Sequence, residues 1–347
     1  MTALRHIAFR RLAASLAAVA VLTAACGGGD DDSATGPDGD DAPSTTLAPT
    51  PAPLTGVLLQ DGSIASRPAV AVKVDNGPQG RPQSGIDKAD VLIEEKVEGG
   101  ITRFIAVFHS QDAELVGPVR SVRSTDAGLV AAIGGVFAFA GGIPPFEELA
   151  RQQPVTVVSE RASSEGFTYP PGKRRPYKTY TSTPTLRSLA DEGAKAPPRL
   201  SEFLGAGEAF APAAAGPATS ASVGFGARSS FTVDFDPASG LWKRSVNGAP
   251  HVTAGGEQLG FANVIIQITS YRPTSFRDPS GSVVDEAAIV GSGDAVVLSQ
   301  GKQAPVKWSK TSNTAVTSYT DAAGNPVKLA PGRTLIALPP PGGIAIR

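Results

Sequence analysis

From residue 67 the chain reads RPAVAVKVDNG, where small and β-branched apolar positions alternate before an Asp-Asn-Gly turn. That pattern predicts a strand over 67–77, with order beginning near 54–65. The next stretch, ADVLIEEKVEGGITRFIAVFHS (89–110), predicts two strands folded back on each other about Gly99-Gly100. A helix is predicted over 126–133, with Asp126 available near its start, then a short buried strand within GGVFAFAGG (134–142). Two more helices are predicted, over 146–153 and over 183–193, the latter capped by Thr183 with Pro184 at its first position.

Past residue 195 the periodicity lapses into AKAPPRLSEFLGAGEAFAPAAAGPATSA, whose Ala, Gly and Pro content marks a linker. The pattern then becomes mostly β. ASVGFG, SFTVDFD, GLWKRSVNG, NVIIQITSYR, DAVVLSQG, QAPVKWSK, AVTSYTD and TLIALP are separated by Gly, Asn, Asp and Pro turns. They predict an antiparallel sheet, sandwich or partial barrel. The predicted fold class is α+β: a mixed α/β N-terminal domain (57–195), a linker (196–218) and a mainly antiparallel β C-terminal domain (219–347).

The first 26 residues have a different pattern. Arg5, Arg10 and Arg11 precede an apolar run over 12–25, of signal-peptide length and short for a permanent membrane span. The run ends in Thr-Ala-Ala-Cys, which resembles the lipobox of bacterial lipoproteins, although Thr23 stands where Leu is preferred. Cys26 is the only cysteine in the chain and is the predicted lipidation site. Disulfides and thiolate catalysis are thereby excluded from the body. Residues 27–56 carry six aspartates among Gly, Ser, Thr and Pro, and they predict a disordered tether. The expected location is the outer face of the cytoplasmic membrane, with the membrane contacted through the lipid anchor.

Charge narrows the partners. Removing three N-terminal arginines and six tether aspartates from totals of 31 basic and 32 acidic residues leaves 28 and 26. That near-neutral body does not point to nucleic acid. His109 and His251 fall in separate predicted domains without clustered ligands, so no metal is expected, and no cofactor. No Gly-x-Ser-x-Gly elbow is present, and GSGDA (291–295) precedes a strand instead of opening a helix. No catalytic residue is recognisable, and the reading inclines to binding over turnover.

What remains is a set of arginines and carboxylates at Gly- or Pro-flanked turns and strand ends: Arg81, Arg103, Arg120 and Arg123, with Glu94, Glu95 and Glu98. Converging guanidinium forks would suit a phosphate or polyanion. The same arginines could instead pair with the three glutamates and lock the hairpin to the following loop. The basic run Lys173, Arg174 and Arg175 reads as a solvated loop.

These residues also carry a family resemblance. Val74-Asp75-Asn76, Arg81-Pro82-Gln83-Ser84-Gly85, Ala89-Asp90, Glu98-Gly99-Gly100-Ile101-Thr102-Arg103-Phe104 and Gly117-Pro118-Val119-Arg120-Ser121 with Arg123 resemble the opening of the YerB family of bacterial lipoproteins, a domain of unknown function. Trp242-Lys243-Arg244, Asn247-Gly248, His251, Asn263-Val264, Val306-Lys307-Trp308 and Pro331-Gly332-Arg333-Thr334 match more softly. The chain departs from the family where an Arg-x-x-His-Asn-like stretch is usual, carrying Arg174-Arg175-Pro176-Tyr177-Lys178-Thr179 instead. The resemblance implies localisation and architecture and brings no activity. Three functions stay open: a tethered protein binding an anionic cell-wall polymer or its precursor, an enzyme acting on such a ligand, and a scaffold for a protein partner of unknown identity.

Overall fold

The computed structural model describes residues 48–278 and 281–347. The predicted signal peptide, Cys26 and residues 27–47 of the tether lie outside the described residues. The first half supplies β1 (Val70–Asp75), β2 (Val91–Lys96), β3 (Thr102–Phe108), α1 (Ser124–Val130), β4 (Val136–Phe139), α2 (Pro144–Arg151), β5 (Thr156–Ser159) and α3 (Thr183–Ser188). The second half supplies β6 (Ser220–Gly224), β7 (Ser230–Asp236), β8 (Leu241–Val246), β9 (Asn263–Gln267), β10 (Gly291–Ser299), β11 (Lys302–Lys310), β12 (Thr334–Leu338) and β13 (Ile344–Ile346). The described residues are thus strand-rich, with few and short helices.

One sheet of 11 strands runs through both halves, in the order β11, β10, β9, β12, β2, β3, β1, β4, β5, with two short segments pairing on β11. The hairpin about Gly99-Gly100 is there: β2 and β3 pair antiparallel, and both glycines sit at positive φ (74° and 73°), a conformation that favours residues without a Cβ. The joint between the halves is β12, which pairs in parallel with β2 on one side and with β9 on the other. Expectation and structure differ here. Residues 263–338 do not build an antiparallel sheet of their own; β9, β10, β11 and β12 extend the N-terminal one, with Ser318–Thr320 pairing on β11. All five residues of β12 and all six of β1 are buried, as in strands covered on both faces.

A second sheet of six strands contains β8, β7, β6 and β13, and is antiparallel throughout. Strand alternation distributes the main sheet between two cores. Ala71, Ile93, Ile105 and Val107 face α1 and α2 through Val130, Phe146 and Ala150. Val72, Leu92, Phe104 and Ala106 face the second sheet through Val223, Phe231, Val233 and Trp242.

Local differences have local causes. Helix α1 starts at Ser124, two residues before the predicted start, because the Asp126 carboxylate accepts from the Arg123 N–H at 2.7 Å. Helix α3 is capped by Ser182, which is extended (φ −124°, ψ 148°) and accepts from Thr185 N at 3.3 Å, while Thr183 is already helical. It ends at Ser188 instead of reaching residue 193. NVIIQITSYR is not one strand: β9 stops at Gln267, and Tyr271–Arg277 pairs with Val283–Ala287 as a separate ribbon.

Because β12 is hydrogen-bonded between strands from both halves, the body is expected to unfold in one cooperative transition. Calorimetry checks this: coincident calorimetric and van't Hoff enthalpies are expected, and two separate transitions would contradict the joint.

Candidate functional site

The charged residues collect at one end of β1, β2 and β3, where the sheet's period of two divides them between its faces. Glu94 and Glu95 are adjacent in β2, so they point to opposite sides. On the helix side Lys73 lies between Glu95 and Asp126, with the Asp126 oxygen at 2.6 Å and Glu95 in direct contact. All three side chains are at most 1% exposed. One ammonium between two carboxylates leaves surplus negative charge in a dry interior. Burial, then the neighbouring Asp126, push the Glu95 carboxyl up to about 8.

Beside this triad, Arg123 grips Glu98 with two nitrogens, Nε at 2.7 Å and Nη2 in direct contact. Arg103 Nη2 stands 3.6 Å from the same Glu98, and its Nη1 donates to the Ser121 carbonyl at 2.8 Å. Burial, and after it Arg120, push the Arg103 guanidinium down to about 10. Arg120 Nε forms an ion pair with Asp75 at 2.6 Å, and its guanidinium lies over Tyr177 at 5.4 Å. Asp75 also accepts from Gly77 N at 2.5 Å. A Cβ at Gly80 would meet the Asp75 Cβ at 2.6 Å, so this turn needs a glycine for the carboxylate to sit beneath it.

The opposite face carries a different lock. Arg244 on β8 donates from Nη2 to both Glu94 oxygens at 3.0 and 2.8 Å, joining the second sheet to the first. Its guanidinium is layered near Phe231 and Phe104, at 4.3 and 5.5 Å from their centroids. Arginine can only donate, so its contact at 2.5 Å makes His251 Nδ1 the acceptor and puts the imidazole proton on Nε2. Nε2 then donates to Gln83 Oε1 at 2.9 Å, and Gln83 Nε2 donates to the Asp75 carbonyl at 2.8 Å. Asn76 Nδ2 and Thr102 Oγ1 each reach Glu94 Oε1 at 2.8 Å. The network has one set of directions, fixed by the guanidinium. Burial, with Arg244 and Arg81 nearby, pushes the His251 imidazole down to about 2, so it is held neutral.

Arg81 lies on this second face, apart from the other three arginines. It lines a cleft with Asn76, Thr102, Arg228, Ser230 and Asn247, whose floor is the Glu94–Arg244 pair. Among the described residues Arg81 makes no ion pair and no hydrogen bond; burial, and after it Arg244, lower its pKa, and the more distant Glu94 and Asp75 only partly oppose them. Arg228 is exposed and likewise unpaired among the described residues. Its aliphatic stem approaches Gly100, 3.4 Å from where a Cβ would sit. The floor carboxylate is already matched by Arg244, so Arg81 and Arg228 give the cleft a net positive charge. Among the described residues, no group of three or more His, Cys, Asp or Glu side chains is placed to hold a metal ion.

Family models described as "Protein of unknown function (DUF3048)" match the chain with an N-terminal domain over residues 54–196 and a C-terminal domain over 221–336. The chain belongs to the DUF3048 family. Over 104 residues it is 46% identical to "Putative lipoprotein YerB" of Bacillus subtilis (strain 168), a stretch covering 30% of this chain and 31% of that relative. The crystal structure of YerB protein from Bacillus subtilis superposes with a TM-score of 0.72 at 25% identity, covering 86% of this chain and 99% of that one.

Within this DUF3048 chain the seven residues singled out by sequence keep only part of their expected pairing. Glu98 does hold Arg103 and Arg123, whereas Glu95 takes Lys73, Glu94 takes Arg244, and Arg120 takes Asp75. Arg103, Arg120 and Arg123 are brought together, and Arg81 is not among them. Lys73, Arg228, Arg244 and His251 had no assigned role, and Asp126 was expected only near the start of a helix. A buried lysine in the run AVAVKV, whose alternation faces it inward, is the one clear signal for Lys73.

His251 gives a pH dependence. Its folded pKa lies below the ordinary value of about 6.5, so the unfolded chain binds the proton more readily and stability falls on acidification below about pH 6.5. His109, pushed down to about 4 chiefly by burial, adds in the same direction. Each histidine is expected to contribute a slope of about 1.4 kcal/mol per pH unit. Urea unfolding at stepped pH checks this, with His251→Gln flattening the acid limb. Separately, Arg244→Ala leaves Glu94 buried without its partner and is expected to cost about 3–5 kcal/mol. A loss below about 1 kcal/mol in the same urea series would contradict the lock.

Proposed function

We propose that this protein is a lipid-anchored lipoprotein on the outer face of the cytoplasmic membrane, whose body binds an anionic cell-envelope ligand in the Arg81–Arg228 cleft. The ligand class is a phosphorylated wall polymer or its precursor. The observation that carries the reading is a half-buried Arg81 guanidinium that makes no ion pair and no hydrogen bond among the described residues, beside a second unpaired cation. Guanidinium groups offer planar forks matched to phosphate, and Ser230 and Asn247 add neutral polar groups beside them. The anchor rests on the lipobox-like sequence before Cys26 and on the name of the Bacillus subtilis relative. Among the described residues no helix is long and apolar enough to cross a membrane.

In this reading Arg103, Arg120 and Arg123 are internal fasteners, since their charges are met by Glu98 and Asp75. Arg81 is the one arginine of the sequence-derived set that keeps a binding role. The test is calorimetric titration of the full-length chain in detergent with pyrophosphate and with a glycerol-phosphate wall polymer. Arg81→Ala/Arg228→Ala is expected to weaken binding at least tenfold, about 1.4 kcal/mol, with an unchanged thermal midpoint. Arg103→Ala is expected to lower the midpoint. Unaltered affinity in the Arg81/Arg228 double variant would reject the cleft as the site.

A further inference from the structure

On the helix side of the main sheet, away from the charged end, lies a second concavity that the anion reading does not use. Its floor comes from Ile93 on β2 and Ile336 on β12, and its walls from Leu129 of α1, Ile133 and Val316. The cavity volume is about 70 Å³, within about 700 Å³ of space that includes the mouth. This is a narrow apolar slot, suited to a slender chain more than to a ring system.

One part of the lining is polar. Lys310, at the end of β11, is only 4% exposed, and its ammonium donates to the Ala315 carbonyl. Among the described residues it has no carboxylate within ion-pair distance. Close by in the same lining, Tyr319 donates to Gln267 Oε1 at 2.9 Å, and the Gln267 amide nitrogen has no acceptor among the described residues. A buried ammonium beside one carbonyl is under-compensated, because removing a charge from water is costly unless an opposite charge replaces the water. Burial pushes the Lys310 pKa down to about 8, as such a deficit requires.

An anionic group at Lys310 would supply the missing counter-charge, while an attached apolar chain would cover Ile93, Leu129, Ile133 and Ile336. We infer that this slot binds a single-chain fatty acid, with its carboxylate on Lys310 and its acyl chain along the apolar lining. Uncharged amphiphiles lack the complement to the ammonium.

The experiment uses the full-length chain in nanodiscs, labelled with a diazirine analogue of palmitate and, in parallel, with the matching diazirine hexadecanol. Adducts are located by peptide mass spectrometry. Palmitate adducts are expected at Leu129, Ile133 and Val316. Lys310→Met, which keeps the apolar volume, is expected to cut their yield at least tenfold while leaving the weaker hexadecanol labelling unchanged. Leu129→Trp, which fills the slot and retains Lys310, is expected to abolish labelling of Ile133 and Val316 by both probes. The inference is overturned if palmitate leaves no adducts on these residues, if Lys310→Met labels with palmitate as well as the unaltered chain does, or if Leu129→Trp labels undiminished. None of these outcomes depends on Arg81 or Arg228, so this site and the anion cleft stand or fall separately.

Discussion

The ion pair between Arg244 and Glu94 is the contact on which the arrangement of this molecule turns. It joins β8 of the smaller sheet to β2 of the larger one, at side-chain exposures of 1% and 2%. At that depth a charge without an opposite partner is costly, so carboxylate and guanidinium hold each other in place. The pair therefore dictates its surroundings. Phe104 and Phe231 flank the cation, while Asn76 and Thr102 complete the carboxylate. His251 must be neutral with its proton on Nε2, because Arg244 leaves Nδ1 nothing to do but accept. Gln83 passes that order on to the turn that carries Arg81.

The same constraint separates fastening charges from available ones. Lys73, Arg103, Arg120, Arg123 and Arg244 each meet a carboxylate inside the fold. Arg81 and Arg228 do not, and they share the cleft that the Arg244–Glu94 pair floors. A cleft with a neutralised floor and two unmatched guanidiniums attracts anions without help from net charge, which for the whole chain is only −1. The apolar slot behind the same sheet poses the converse problem, a single cation in a hydrocarbon setting.

The sequence made much of the first half legible. Alternation marked β1, the glycine pair marked the β2–β3 hairpin, and the apolar run between glycines marked β4. The joint at β12 was not legible, because TLIALP reads equally well as the edge of a local antiparallel sheet or as a central strand beside β2. Only long-range pairing decides between them. The charge partners failed for a related reason. Glu94 and Glu95 look interchangeable as neighbours in sequence, yet a strand turns them to opposite faces, one toward Arg244 some 150 residues away and the other toward Lys73. The parity of those positions was readable from the strand assignment; the identity of the layer opposite each face was not. Gln83, Arg244 and His251 lay within or beside the motifs that carried the family resemblance, but nothing local tied them to one another.

The division between fastened and free arginines is tested most directly by arginine-selective labelling with phenylglyoxal, read residue by residue by mass spectrometry on the folded full-length chain. Fast labelling is expected at Arg81 and Arg228, suppressed by added pyrophosphate, with Arg103, Arg123 and Arg244 protected until the chain unfolds. Labelling of Arg103 and Arg123 at the rate of Arg81, or no effect of pyrophosphate on Arg81 and Arg228, would contradict the account.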